Sequence, residues 1–258
     1  MIDTVCLTFD GPVATITLVR PEKLNALDAG MVAALGECAA RIEADHAVRA
    51  AIITGEGKAF CAGGDITAWG SLPPLEMWRN WVREGHRAFD ALARLRVPLI
   101  AALSGHALGG GLELAGTADL RIAEPQAKLG LPETGIGMIP GWSGTQRLVR
   151  RFGAGTIRRL AFTGELVSGE RALALGLVDE VVEQGRAIER AKELALAVAT
   201  RGPVAVSITK QLINAAEREG DVSATLEALS GALAAFSEDG SEGVASFREK
   251  RAPRFTNR

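Results

Sequence analysis

Hydrophobic and polar positions alternate near the start of the chain. In Val13–Val19, Thr15 and Thr17 separate Ala14, Ile16 and Leu18, the period-two pattern of a strand with one buried face. Val5–Phe9 precedes it, and Asp10-Gly11 between the two runs is a strong turn signal, so the pattern predicts a β-hairpin. The period then lengthens. Asp28 stands where a helix N-cap belongs, and Met31, Leu35, Cys38 and Ile42 follow at helical spacing. Apolar runs at 50–54, 98–104 and 118–123 predict buried strands, and 76–95 and 108–115 predict helices. Ile188, Ala191, Leu194, Ala195 and Val198 predict a helix over 188–199. Beyond Gly202-Pro203 the strand pattern disappears, and 203–217, 222–236 and 241–250 read as three helices. Strands mixed with helices over 1–200, then a helical region over 201–258, predict an α/β fold with a C-terminal helical unit.

Composition narrows the function classes. A hydrophobic fraction of 47% excludes a disordered chain. The formal net charge of −2 gives no electrostatic footprint for nucleic acid. No segment approaches the roughly 18 consecutive apolar residues of a membrane helix. Cys6, Cys38 and Cys61 form neither a disulfide framework nor a CxxC pair, so the expected compartment is the reducing cytoplasm. The N-terminus has no basic, apolar, cleavable pattern, and no leader is expected.

Two glycine-rich segments follow predicted strands: Ala62-Gly63-Gly64-Asp65-Ile66, and Gly109-Gly110-Gly111-Leu112-Glu113. Glycine permits close backbone approach and positive φ. A helix opening at Gly110 presents free N–H groups, and two such turns brought together could aim two donors at one oxygen, which is the physics of an oxyanion hole. The plainer reading is tight strand–helix packing. The spacing does not fit a dinucleotide fingerprint. Glu113 and Glu133 both lie in apolar or small-residue surroundings, where a carboxylate is costly unless it is paired or functional. Singly, each reads as a surface or backbone-tied glutamate; beside an oxyanion hole they suggest acid–base chemistry. His46, His86 and His106 lack metal-ligand spacing, and Ser104 is not in a nucleophile elbow.

Several motifs occur in one order: Arg20-Pro21-Glu22-Lys23-Leu24-Asn25-Ala26-Leu27, the Ala-Gly-Gly-Asp at 62–65, Gly-Gly-Gly-Leu-Glu at 109–113, Leu131-Pro132-Glu133, Ile139-Pro140-Gly141, Gly144–Leu148 and Phe247–Arg251. In these the sequence resembles the crotonase superfamily, and within it the enoyl-CoA hydratases. The resemblance implies a crotonase-like spiral of stacked ββα turns with a C-terminal helical trimerisation unit, a homotrimer or hexamer, and a coenzyme A thioester as substrate. Coenzyme A is then part of the substrate, and no cofactor or metal is expected. By the same resemblance the oxyanion donors are the N–H groups of Ala62 and Gly110, Glu113 and Glu133 are the catalytic pair, and Gly141 lies beside them. Lys23, Ala26 and the stretch Ala62, Gly63, Gly64, Asp65 and Ile66 match the part that holds CoA, as do Phe247 and Lys250 at its nucleotide end. The implied reaction is syn addition of water to a 2-enoyl-CoA, a lyase step of fatty acid metabolism.

The sequence departs from the family at Trp142 and Ser143, where relatives carry small residues. Trp142 either trims the acyl pocket or packs on the following helix. Trp69, Trp78 and Trp81 suggest an apolar wall, with Trp69 the other acyl-pocket candidate, or a helix face packed on the core. The alternative activity is an enoyl-CoA isomerase with Glu133 as the sole proton shuttle. An RNA-binding role is disfavoured by the lack of a Lys/Arg cluster with interleaved aromatics.

Overall fold

The hairpin forms where its pattern predicts. Strands β1 (Val5–Asp10) and β2 (Val13–Leu18) pair antiparallel with Val5 opposite Leu18, and Gly11 takes a φ of +54° in the turn. The computed structural model describes residues 4–220 and 222–256; residues 1–3, 221 and 257–258 of the expected units lie outside the described residues. The other strands are β3 (Ala50–Gly55), β4 (Ala59–Cys61), β5 (Leu99–Leu103), β6 (His106–Leu108), β7 (Leu120–Ala123), β8 (Lys128–Gly130), β9 (Val167–Ser168) and β10 (Glu180–Val181).

These strands form two sheets. The larger has the order β1-β2-β3-β5-β7-β10 and is parallel beyond the hairpin; the smaller has the order β4-β6-β8-β9, with only β9 antiparallel. Each of β3, β5 and β7 is followed closely by β4, β6 or β8 in the other sheet, and then by a helix or a helical turn. The result is the expected spiral of ββα turns. Its central strands are buried on both faces, so β3 and β5 read as unbroken apolar runs rather than alternating ones.

The helices are α1 (Ala29–Ala44), α2 (Ile66–Trp69), α3 (Pro74–Glu76), α4 (Arg83–Ala93), α5 (Gly110–Ala115), α6 (Arg147–Phe152), α7 (Ala154–Thr163), α8 (Gly169–Ala174), α9 (Ala187–Ala199), α10 (Pro203–Ala216), α11 (Val222–Phe236) and α12 (Glu238–Glu249). Asp28 caps α1 by accepting from the Met31 N–H at 2.9 Å. The buried α1 face of Met31, Leu35, Cys38 and Ile42 joins Phe89 and Leu92 of α4 in the main core. Ala187, Ala191 and Ala195 of α9 cover the other face of the large sheet, against Ile52, Ile100 and Ile122.

Three sequence expectations are corrected. The helix expected over 76–95 is α3, a π turn at Met77–Val82, and then α4. The helix expected from 108 begins at Gly110, because His106–Leu108 pairs with β4 and β8 as β6. The last helix begins at Glu238 rather than 241, with the Ser237 hydroxyl capping it through the Gly240 N–H.

The chain divides into a unit ending at Lys210 and one starting at Gln211, so the division falls inside α10 rather than at 200/201. The first half of α10 belongs with the spiral because Lys210 Nζ donates to the Val97 carbonyl at 2.9 Å and pairs with Asp119 at 2.7 Å. The second unit holds the end of α10, α11 and α12. Among the described residues no helix is long and apolar enough to cross a membrane.

Candidate active site

Construction of the site begins with the loop after β2. Asn25, fully buried at a φ of +55°, donates through Nδ2 to the Glu56 and Ala59 carbonyls at 2.9 and 2.8 Å and accepts from the Arg20 N–H at 2.9 Å. This fixes the loop that carries Lys23 and Ala26. The loop is tied directly to the first glycine segment: Ala62 N–H donates to the Leu24 carbonyl at 3.0 Å, Leu27 N–H to Gly63 at 2.7 Å, and Asp65 N–H to Leu27 at 2.7 Å. The structure therefore brings the Lys23–Ala26 loop and residues 62–65 together.

One expected role changes here. The Ala62 N–H is already used by Leu24, so it is not free to bind a substrate oxygen. Two residues on, no described group accepts from the Gly64 N–H. The Gly110 N–H is likewise free, as expected of the first residue of a helix. Asp65 acts as a brace: its carboxylate accepts from the Thr67 hydroxyl at 2.6 Å and pairs with Arg20 at 2.9 Å. Those partners, Thr67 above all, hold its pKa below the usual carboxylate range.

The glycines permit the close approach of the two segments. Gly63 has a φ of +100°, and a Cβ there would lie 2.9 Å from the Leu108 carbonyl oxygen and 3.2 Å from the Gly110 nitrogen. A Cβ on Gly111 would lie 1.9 Å from the Cys61 carbonyl oxygen. The α5 N-terminus thus rests directly on the end of β4, with the Gly64 and Gly110 amides on the same cavity wall.

Glu113 lies one turn into α5 and is 2% exposed. Its Oε1 accepts from the backbone N–H groups of Trp142 and Gly144 at 2.7 and 2.6 Å. Burial, reinforced by the Glu133 charge, pushes its pKa up to about 8 against the opposing pull of those two donors. Glu133 opens a short 3-10 turn after Pro132, and neither of its buried oxygens has a hydrogen-bond partner among the described residues. Its pKa is also raised, again chiefly by burial. A Cβ on Gly109 would come within 2.9 Å of Glu133 Oε1, so the glycine at this φ of +54° makes room for the carboxylate.

Both glutamates, Gly63, Gly64, Ile66, Gly110 and Gly141 line one cavity of about 560 Å³. Trp69 and Trp142, the two acyl-pocket candidates, line it too, while Trp78 stands 58% exposed outside it. Trp142 is also packed: its ring lies 5.2 Å from Phe89 and 4.9 Å from Trp81, centroid to centroid. Trp81, named with the other tryptophans as a possible apolar wall, also lines this cavity, as does His86, to which sequence reasoning gave no site role. His86 Nδ1 lies 3.0 Å from the Ser143 hydroxyl, and Ser143 sits at a φ of +84°. Burial keeps the His86 pKa below its ordinary value. Phe247 and Lys250 belong to the second unit: Phe247 is exposed, and Lys250 ends α12 in a left-handed conformation.

Comparison with known proteins agrees with this architecture. A family model described as enoyl-CoA hydratase/isomerase matches residues 8–258. The chain is 38% identical to a short-chain-enoyl-CoA hydratase of Clostridium acetobutylicum, over 97% of this chain and 96% of that one. It is 40% identical to a probable enoyl-CoA hydratase of Bacillus subtilis, over 98% of each. A solved enoyl-CoA hydratase from Bacillus anthracis superposes with a TM-score of 0.81 at 34% identity, covering 99% of this chain and all of that one. The fold is therefore that of the crotonase superfamily of enzymes. Within that class the chain belongs to the enoyl-CoA hydratase/isomerase family.

Proposed function

We propose that the protein hydrates a 2-enoyl-CoA to a 3-hydroxyacyl-CoA, with Glu113 and Glu133 as its acid–base pair and the Gly64 and Gly110 N–H groups as its oxyanion hole. The observation that carries this reading is the pairing of two buried, mutually repelling carboxylates in one cavity with two backbone donors that have no acceptor. The thioester oxygen accepts from both amides. This draws electron density from the conjugated double bond and stabilises the enolate that forms as water attacks. Loss of one such donor typically costs about 10²–10³ in rate.

The water lies between the carboxyl groups. One carboxylate takes its proton as the oxygen bonds to the β-carbon, and the other carboxyl delivers a proton to the α-carbon. Atoms balance without an electron carrier, since adding water across a double bond is redox-neutral. Two close carboxylates in an apolar cavity hold one proton between them over a wide pH range, and their apparent pKa values belong to the pair. That shared state supplies an acid and a base at the same pH.

One observation favours the isomerase alternative. Glu113 Oε1 is held by two N–H groups, while both oxygens of Glu133 are free to carry a proton from one carbon to another. The hydratase reading is preferred because Glu113 lines the same cavity as Glu133, and both of its backbone donors engage the one oxygen, Oε1. Backbone of the Lys23–Ala26 loop and residues 62–66 holds CoA. The working form is a cytoplasmic homotrimer or hexamer. Support comes from the three cysteines, which form no CxxC pair in the sequence, and from Leu226, Leu233 and Phe236, which the second unit leaves exposed. The test is loss of enoyl-thioester absorbance on adding the protein to crotonyl-CoA, with 3-hydroxybutyryl-CoA as product. A double-bond shift in a 3-enoyl-CoA without any hydration would select the isomerase.

A further inference from the structure

A second cavity, of about 350 Å³, shares the Trp81 side chain with the catalytic one. Ala29, Val32, Ala33 and Gly36 of α1 and Ala88 of α4 give it an apolar side, while Glu76, Asn80, Glu84 and Arg87 form a polar, exposed rim, so it opens to solvent. A Cβ on Gly36 would meet the Ala88 Cβ at 3.9 Å, an ordinary van der Waals distance, so α1 and α4 are in direct contact at this point of the cavity wall. Among the described residues Trp81 is the single one that lines both cavities.

The Trp81 ring stands close to where the acyl group starts. A Cβ on Gly64, the residue assigned above as an oxyanion donor, would lie 2.9 Å from Trp81 Cζ2. An acyl chain leaving a thioester held there therefore meets two indoles, Trp81 and Trp142. The two differ in how firmly they are held. Trp142 is 4% exposed, and its ring occupies space that Cβ atoms on Gly85 and Gly110 would invade, at 2.0 and 2.9 Å. Trp81 is only half-buried, and it sits in the Met77–Val82 π turn, a backbone geometry frequent at functional sites.

We infer that Trp81 sets the acyl-chain length this enzyme accepts, by closing the catalytic cavity against the α1–α4 cavity that a longer chain would occupy. With Trp81 in place the acyl group ends within the first cavity, and short 2-enoyl-CoA thioesters are the preferred class. Removing the ring joins the two cavities into one apolar channel. This inference rests on the hydratase reading for its assay and on the two cavities for its geometry.

The experiment measures kcat/KM for four-, eight- and twelve-carbon 2-enoyl-CoA thioesters with wild type, Trp81→Ala, and Trp81→Ala combined with Ala33→Phe. The ratio for the twelve-carbon over the four-carbon substrate is expected to rise at least about tenfold in Trp81→Ala, the scale on which apolar pockets discriminate chain length. It should fall back when Ala33→Phe fills the second cavity, while Ala33→Phe alone leaves crotonyl-CoA hydration unchanged. An unchanged ratio in Trp81→Ala, or a rise that survives Ala33→Phe, overturns the inference. If Trp81→Ala does not fold by circular dichroism, Trp81→Leu is read in the same way. If wild type hydrates none of the three, the hydratase reading fails; the affinity ratio of dodecanoyl-CoA to butyryl-CoA in the same variants then decides the chain-length inference separately.

Discussion

At the scale of single residues, Glu113 trades stability for chemistry. Its folded pKa is raised, so over the range from its ordinary value up to about 8 the folded chain keeps a proton that the unfolded chain has released. Stability from this group is therefore lost as pH rises through that window, and none is lost below it. Glu113→Gln keeps an oxygen for the Trp142 and Gly144 N–H groups and removes the buried charge. It should be more stable than wild type by about 1–3 kcal/mol at pH 8 and indistinguishable at pH 5 in urea titrations. Equal stability of the two proteins at pH 8 would show that the carboxylate is not held at a cost. Ser143 gives a second prediction. Ser143→Ala keeps the unfavourable φ and loses the contact with His86, and should cost about 1 kcal/mol. Ser143→Gly loses the same contact but relieves a left-handed strain of similar size, so its stability should lie close to wild type. Denaturant midpoints check the order of the two.

Elements differed in how plainly the sequence announced them. The hairpin, α1, β3, β5 and α9 were legible because their burial patterns run long enough to show a period or an unbroken apolar run. The small sheet was not. Strands β4, β6 and β8 have three residues each, too few for a period, and their partners lie far away in sequence. The π turn was equally hidden, since a single widened turn leaves a helical pattern nearly intact. Yet β4 and β6 place both glycine segments, so what the periodicity could not show is what positions the site. Contact between α5 and β4 depends on Gly111, where a Cβ would overlap the Cys61 carbonyl. Gly111→Ala should therefore cost about 3 kcal/mol or more, beyond ordinary overpacking, because backbone rather than a side chain must move. A thermal melt within a degree or two of wild type would contradict this packing.

For the whole molecule, the family motifs carried more than local patterns did: Glu113, Glu133 and Gly110, which the resemblance singled out, all line one cavity, together with Trp142, where the sequence departs from the family. The exception, Ala62, is instructive. Within Ala62-Gly63-Gly64, which amide remains free depends on pairing with a loop some forty residues earlier in the chain, and only the folded backbone shows that Leu24 takes the Ala62 N–H. The second unit bears on assembly. Leu233 is 74% and Phe236 91% exposed, more apolar surface than a lone helix keeps in water without a partner. Wild type should sediment as a trimer or hexamer, and Leu233→Asp with Phe236→Asp should shift it toward monomer; a monomeric wild type would remove the oligomer from this account. Chain removal from residue 240 onward should weaken CoA affinity or assembly, by titration and sedimentation, and no change in either would free Phe247 and Lys250 of any role.

The two-carboxylate mechanism is tested most directly by the hydration of crotonyl-CoA by wild type, Glu113→Gln and Glu133→Gln, followed at the enoyl-thioester absorbance. The account predicts turnover by wild type and a loss of about 10²–10⁴ in kcat for each variant, the range general acid–base groups supply, with folded circular dichroism spectra in both. Full hydration by Glu113→Gln would contradict it and leave Glu133 as the only carboxylate in the chemistry.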